Sequence, residues 1–576
     1  MKLIEALNIN GQNPPRNAGE TLSIALVCGF TPLHLQTFLM AELRGAFPAR
    51  HVEITTGEYD NIAGNLADLG DRRYDAVVLV LEWPDIDPRL GTRQLGGWSP
   101  RSLSDIVDRA EVFLEGLEDL VAASASPVVA SLPTLPLPPL FHTAGWQAGT
   151  HELQLRELLY RFAGALSRNP RIRFIREQTS QSQRLDVRSN WAAGFPYQIA
   201  HASALAELLS KAVQNAQPKK GIITDLDNTL WSGIVGEDGA SSVAWDLDHR
   251  AQGHGVYQQF LSTLAQEGVL VAVASKNDPD VVAEAFARKD ILLARDHVFP
   301  FEVNWGSKAE SISRVLGAWS VDADSVIFVD DDPLELASVK AAHPSMECLQ
   351  FPARDPEGIY ALIVSLRDAF GRNAISHEDE IRRESLRARS LAAASNNAGE
   401  AFSEILLEDA GGELTFDFAK DANDPRPLEL INKTNQFNLN GKRFTEGKWA
   451  DYLSQGDTFL LTSAYRDKFG ALGKIAVVAG RVESEQQVCV DTWVLSCRAF
   501  GRRIEHHCLN ALFEKFGARN IRFAYESTER NKPITRCLTD LLETTPKSGA
   551  VLSASAFQVR CPKLLHRINM DGADNG

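Results

Sequence analysis

The chain has 576 residues, several times the usual domain size of roughly 100 to 200 residues, so a single hydrophobic core is ruled out and three domains are expected. Hydrophobic residues at 44% and charged ones at 23% are ordinary globular usage, which excludes a chain that is disordered throughout. A net charge of -16, from 59 Lys+Arg against 75 Asp+Glu, argues against a surface that follows a nucleic-acid backbone.

The start, MKLIEALNINGQNPP, has no long apolar core, and no apolar run approaches the roughly 20 residues of a membrane span, so neither export nor a membrane is expected. From Ser23 the chain reads SIALVCGF, then an amphipathic run TPLHLQTFLMAELRGAF, then YDAVVLVLEW at Tyr74 to Trp83. These predict strand, helix and strand. A long helical stretch from Ser102 and the strand-like SPVVAS follow, an alternation that implies a parallel sheet covered by helices. His151 to Val213 reads as largely helical, and QNAQPKK reads as a linker.

A second unit opens with GIITDLDNTL at Gly221 to Leu230, a buried strand ending in carboxylates. A helix around Val256 to Glu267, the strand VLVAVAS, the helix DPDVVAEAFARK and the strand SVIFVDDD at Ser325 to Asp332 continue it. Beyond Asp368 a charged, alanine-rich stretch predicts a helical connector. A third unit has the strands TFLLTSAYRD, KIAVVAGRV and VCVDTWVLS in succession, then the helix RRIEHHCLNALFEKFG, which implies an α+β fold. The expected bounds are 1–215, 218–370, a connector over 371–405, and 406–565.

An open parallel sheet binds ligands at the carboxyl ends of its strands. In the second unit those ends carry Asp225 and Asp227, Ser275, and Asp330 with Asp331; Lys308 lies between the last two. A carboxylate such as Asp225 can attack phosphorus, and a second, Asp227, can act as general acid and then base. Mg²⁺ held by Asp225, Asp227, Asp330 and Asp331 supplies the counter-charge, while Lys308 and the Ser275 hydroxyl hold the transferring oxygens.

This order of motifs, D-x-D-x-T followed by a strand-end serine, a lysine and an acidic pair, resembles the haloacid-dehalogenase (HAD) superfamily. The longer string TDLDNTLWSGIVGEDG, with SKND at Ser275 to Asp278, KTNQFN at Lys433 to Asn438 and SCRAFGRRIE at Ser496 to Glu505, resembles the FkbH-like family of polyketide and related assembly lines. The resemblance implies a Rossmann-like HAD domain, preceded by an SGNH-hydrolase-like α/β domain and followed by a GNAT-like acyltransferase domain. It implies that a glyceryl unit from 1,3-bisphosphoglycerate, a phosphorylated small molecule, is loaded on the phosphopantetheine arm of an acyl carrier protein. Arg498, Gly501, Arg502 and Arg503, before a helix, stand where such proteins cradle the phosphates of phosphopantetheine or coenzyme A.

Two positions depart from the family pattern. Ala274 stands where a cysteine is expected in glyceryl-loading members, and Arg503 replaces an expected glycine. Cys497 is a candidate acyl-carrying thiol, with a buried structural thiol as the alternative. In the first unit Cys28 follows the first strand where an SGNH enzyme has its serine, and Asp186 and His201 are too far apart for Asp-x-x-His; the domain reads as catalytically degenerate. Seven scattered cysteines without metal spacing fit a reducing cytoplasm. Two other readings stay open: a stand-alone Mg²⁺-dependent phosphatase of polysaccharide or sugar metabolism, and a non-catalytic scaffold.

Overall fold

A computed structural model describes residues 1–12, 21–70, 72–95, 99–139, 143–144, 146–176, 184–215, 217–319, 321–371, 408, 411–468, 470–496, 499–500, 502–528 and 530–570. The expected connector over 371–405 lies outside the described residues, apart from residue 371. No helix among the described residues is long and apolar enough to cross a membrane.

The first sheet is built from β1 (Thr21–Cys28), β2 (His51–Thr56), β3 (Ala76–Val80), β4 (Val128–Ser131) and β5 (Ile172–Phe174), all parallel in the order β2-β1-β3-β4-β5. Alternate residues feed opposite faces: Val77 and Leu79 pack on one side, Val78 and Val80 on the other. Both faces are buried, which is why β3 reads as an unbroken apolar run. The strands β2 and β5 were not expected. One is a half-exposed edge without a regular period, the other only three residues long.

The second sheet comprises β6 (Gly221–Thr224), β7 (Leu270–Ser275), β8 (Phe301–Val303), β9 (Val326–Asp330) and β10 (Glu347–Gln350), parallel in the order β10-β9-β6-β7-β8. Helices Gln252–Gln266 and Pro279–Phe286 cover it where the amphipathic patterns predict them. Asp278 caps the second by accepting from the amide of Asp280. The chain leaves β6 for β7 on one side and returns to β9 on the other, so strand order reverses between β6 and β9. That reversal opens a crevice at the carboxyl ends of these two strands.

The third sheet is mixed: β11 (Glu413–Asp417), β12 (Thr458–Asp467), β13 (Gly470–Ser484), β14 (Gln487–Leu495), β15 (Asn520–Phe523), β16 (Ala550–Ser553) and β17 (Arg567–Met570), in the order β16-β15-β14-β13-β12-β11-β17. Four pairs are antiparallel; β14 with β15 and β11 with β17 are parallel. The fold class is thus α/β, with two parallel sheets, followed by an α+β region.

The chain divides into two compact units, 1–216 with 444–452, and 217–443 with 453–576. The segment Phe444–Tyr452 belongs to the first unit because Thr445 donates to Asp75 at 2.6 Å and Glu446 pairs with Arg173. The second and third sheets share the second unit. There the side chains of Asn435 and Gln436 donate to Asp322 at 3.1 and 3.2 Å, and Arg530 pairs with Asp324 at 2.5 Å.

Candidate active site

The strand β6 ends in Thr224, and the ladder to β9 continues one residue further, with the amide of Asp225 donating to the carbonyl of Val329 at 2.9 Å. Pairing holds Asp225 beside Asp330, the last residue of β9. Beyond Asp225 the chain turns at once. The amides of Thr229, Leu230 and Trp231 all donate to the carbonyl of Leu226, and Asn228 adopts φ 52°, a left-handed conformation that asparagine tolerates. From the helix Gln252–Gln266, Gln258 donates to the carbonyl of Leu230, fastening the turn to the domain core.

Lys308, first residue of the helix Lys308–Trp319, joins the two strand ends. Its ammonium lies 2.9 Å from Asp225 and 2.6 Å from Asp330, and all three side chains are buried. Asp225, Asp330 and the half-buried Asp331 bring one carboxylate oxygen each to within 4.8 Å of one another. Burial pushes the Asp225 carboxyl up, against the Lys308 ammonium, the Leu226 amide and the Ser275 hydroxyl. Asp330 and Asp331 are also pushed up, first by burial and then by the charge of Asp225. For Lys308, burial acts downward and the two carboxylates outweigh it, so the ammonium is held above its ordinary range.

Three crowded carboxylates face one ammonium, which leaves an excess of two negative charges among hard oxygen donors. That donor set fits a divalent cation of the magnesium type, and Asp225, Asp330 and Asp331 are the residues that would hold it.

Asp227, expected in both the catalytic and the metal sets, does not join this cluster among the described residues. Its Oδ1 accepts from the Trp231 indole and the Val235 amide, each at 2.9 Å, and its Oδ2 from the Asn277 side chain at 2.9 Å. The Asn277 amide also donates to Ser275 at 3.1 Å, linking the end of β7 to the same network. The sequence reading assigns Trp231 and Asn277 no role of their own, although Asn277 lies at the end of the strand that delivers Ser275. The available signal was their type: donors within a few residues of strand ends that carry acceptors.

Arg502 pairs with Asp467 at 3.4 Å and stacks over Tyr465, and Arg503 donates to the carbonyl of Lys563 at 3.0 Å. Arg503 holds φ 57° at the start of the helix Ile504–Phe516, a left-handed conformation that favours glycine. Arg498, Gly501 and Cys497 lie outside the described residues. The string KTNQFN makes the Asp322 contact instead of reaching the carboxylates. Asn531 further ties the string KTNQFN to the segment after β15, donating to the carbonyls of Asn438 and Glu526.

In the first unit, Asp186 caps the helix Val187–Ala193 through Ser189, whereas His201 bonds Thr134 at 2.8 Å. Burial pushes the Cys28 thiol up to about 12, the wrong direction for a nucleophile. Cys489 is likewise pushed up to about 12, and burial raises Cys348, Cys508, Cys537 and Cys561. Ala274 points into the core with Ile223 and Phe328, on the face opposite to Val271 and Val273.

Among solved structures, the chain is similar to the crystal structure of the N-terminal part of the protein BF1531 from Bacteroides fragilis, described as containing a phosphatase domain and complexed with Mg. The match has a TM-score of 0.50 at 18% identity and covers 65% of this chain and 100% of that one. At that identity the likeness shows a shared fold, the Rossmann-like parallel domain. No protein-family model matches the chain, and no curated protein does.

Proposed function

We propose that the crevice between β6 and β9 is a Mg²⁺-dependent phosphoryl-transfer centre of the HAD type. The observation that carries this reading is the buried contact of Lys308 with both Asp225 and Asp330 at adjacent strand ends. The phosphatase domain and Mg in the description of the Bacteroides fragilis structure support it.

In this reading an Asp225 oxygen attacks phosphorus. The phosphorus–oxygen ester bond breaks, its electron pair goes to the leaving oxygen, and an aspartyl-phosphate forms. Water then attacks the phosphorus, releasing phosphate and restoring the carboxylate. Asp227 supplies the proton to the leaving oxygen and takes one from the water. As observed, its Oδ1 accepts two hydrogen bonds and its Oδ2 one, which leaves a lone pair on Oδ2 to carry the proton it donates. Lys308 neutralises charge on the transferring oxygens, and Ser275, positioned by Asn277, hydrogen-bonds them. Bound Mg²⁺ supplies further positive charge to the phosphoryl oxygens.

The substrate we propose is a phosphorylated three-carbon acid destined for an acyl carrier protein. This part rests on the resemblance of the strings around Asp225, Ser275, Lys433 and Ser496 to FkbH-like proteins. With Ala274 in the place of a cysteine and the described thiols shifted upward, the phosphopantetheine thiol of the carrier, or Cys497, is the acyl acceptor. Its sulfur attacks the carbonyl carbon of the acyl phosphate, the carbon–oxygen bond breaks, and that phosphate leaves with the electron pair, while the remaining phosphate ester is the one cleaved at Asp225. The test is to incubate the protein with Mg²⁺, 1,3-bisphosphoglycerate and a holo carrier protein, then measure the intact mass of the carrier. A glyceryl adduct lost on Asp225→Asn supports loading. Phosphate release without an adduct leaves a phosphatase, and neither product overturns both.

A further inference from the structure

A cavity of about 500 Å³ lies within the first unit, at the carboxyl ends of β4 and β5. Leu132, Leu159, Ile175, Leu205, Leu208 and the Trp83 ring give it apolar walls. At its polar end, Thr134 donates its hydroxyl to the buried Glu82 at 2.7 Å and lies 2.8 Å from Nε2 of His201. Glu82 also accepts from the Tyr197 hydroxyl at 2.7 Å and from the amides of Thr134 and Leu135. The Thr134 proton is committed to Glu82, so its oxygen accepts from the Nε2–H of His201. Burial, aided by the charge of Arg184, pushes that imidazole down to about 4, so the ring is neutral.

Three guanidinium groups line the same cavity: Arg156, Arg176 and Arg184. Arg184 donates to the carbonyl of Thr134 at 2.9 Å, and Arg156 also pairs with Glu152 at 3.0 Å. A chamber with aliphatic walls and guanidinium groups at its lining suits a ligand with an apolar body and an anionic head group. The Glu82 carboxylate behind Thr134 disfavours a dianion, and a guanidinium pairs a carboxylate in bidentate fashion.

We propose that this cavity is a binding site for an aliphatic carboxylate, its alkyl chain along Leu159, Ile175 and Leu205 and its head group toward Arg176 and Arg184. The site is separate from the phosphoryl-transfer centre and uses none of its residues. It gives the first unit a ligand-binding role without requiring a nucleophile at Cys28.

Calorimetric titration of the full chain with hexanoate, octanoate, decanoate and 1-octanol tests this. The expected result is saturable one-to-one binding of the acids, tightening roughly fourfold per methylene, with 1-octanol at least about tenfold weaker. Arg176→Glu changes an exposed rim residue without touching the core, and is expected to weaken octanoate about tenfold. Ala204→Phe, on the helix Ile199–Gln214, fills the chamber and is expected to abolish binding. Absence of saturable binding, equal affinity for 1-octanol and octanoate, or octanoate binding indifferent to Arg176→Glu would each overturn the proposal.

Discussion

Lys308 and Asp330 face each other at 2.6 Å with side chains 7% and 0% exposed, and the same ammonium reaches Asp225 at 2.9 Å. One cation therefore bridges two carboxylates that adjacent strands bring together. Removing it leaves two buried negative charges uncompensated, and the cost of that falls on both stability and chemistry.

Lys308→Met is expected to destabilise the second unit by about 3–5 kcal/mol and to abolish phosphate release. Melting curves with and without Mg²⁺ check this. Because a divalent cation replaces part of the missing charge, Mg²⁺ is expected to raise the melting temperature of the variant more than that of the parent. Equal shifts would place the cation elsewhere.

Asp225→Asn preserves shape while removing the carboxylate that the proposed mechanism uses as nucleophile. Hydrolysis of p-nitrophenyl phosphate is expected to fall on the order of 10⁴-fold. The melting temperature should hold or rise, since burial disfavours the ionised form that asparagine removes. A variant retaining a tenth of the activity would sink the assignment.

Trp231→Phe deletes one of the three donors to Asp227 and keeps the ring packed against Phe286. In the proposed mechanism, Asp227 with its orientation loosened transfers protons less well. We expect kcat to drop about tenfold with little change in KM. A change in KM alone would mean that the indole serves substrate binding.

Asp322→Ala removes the acceptor for both Asn435 and Gln436. The expected loss is about 1–3 kcal/mol. Faster hydrogen exchange should appear in the helix Pro425–Lys433, while p-nitrophenyl phosphate hydrolysis stays within about twofold of the parent. A large loss of hydrolysis would tie KTNQFN to the chemistry.

His507 and His566 share a 2.9 Å hydrogen bond, and each imidazole is pushed down to about 4. Burial is the first cause for both. His507 also feels His566 and His506, while His566 feels Arg502 and Arg503 against Asp467 and Glu505. Both rings are held neutral in the fold and titrate near 6.5 when unfolded, so their contribution is complete above about pH 6.5 and is lost as pH falls toward 4. Hydrogen exchange in the helix Ile504–Phe516 should quicken across that window, and His507→Gln should flatten the dependence. A flat profile in the parent would contradict it.

Reading strand-end carboxylates located Asp225, Asp330 and Asp331, because alternating apolar strands and helices leave polar residues at one end of a parallel sheet. Lys308, which starts a helix and ends no strand, came instead from the order of motifs that resembles the HAD superfamily. Local periodicity carried the central strands β1, β3, β6, β7 and β9. It missed β2, β5, β8 and β10, which are short or sit at edges and owe their pairing to neighbours rather than to pattern.

The sequence by itself determined the fold class and the order in which the carboxylates and the lysine occur, since these follow from hydrophobic period and residue type. Only the tertiary structure decided what those side chains touch. It turned Asp227 toward Trp231, Val235 and Asn277, gave Arg502 to Asp467, and used KTNQFN to bind Asp322. Each of these is a contact set by the closure of turns or by strands far apart in the chain. Period and propensity, which are local, carry no information about such pairings.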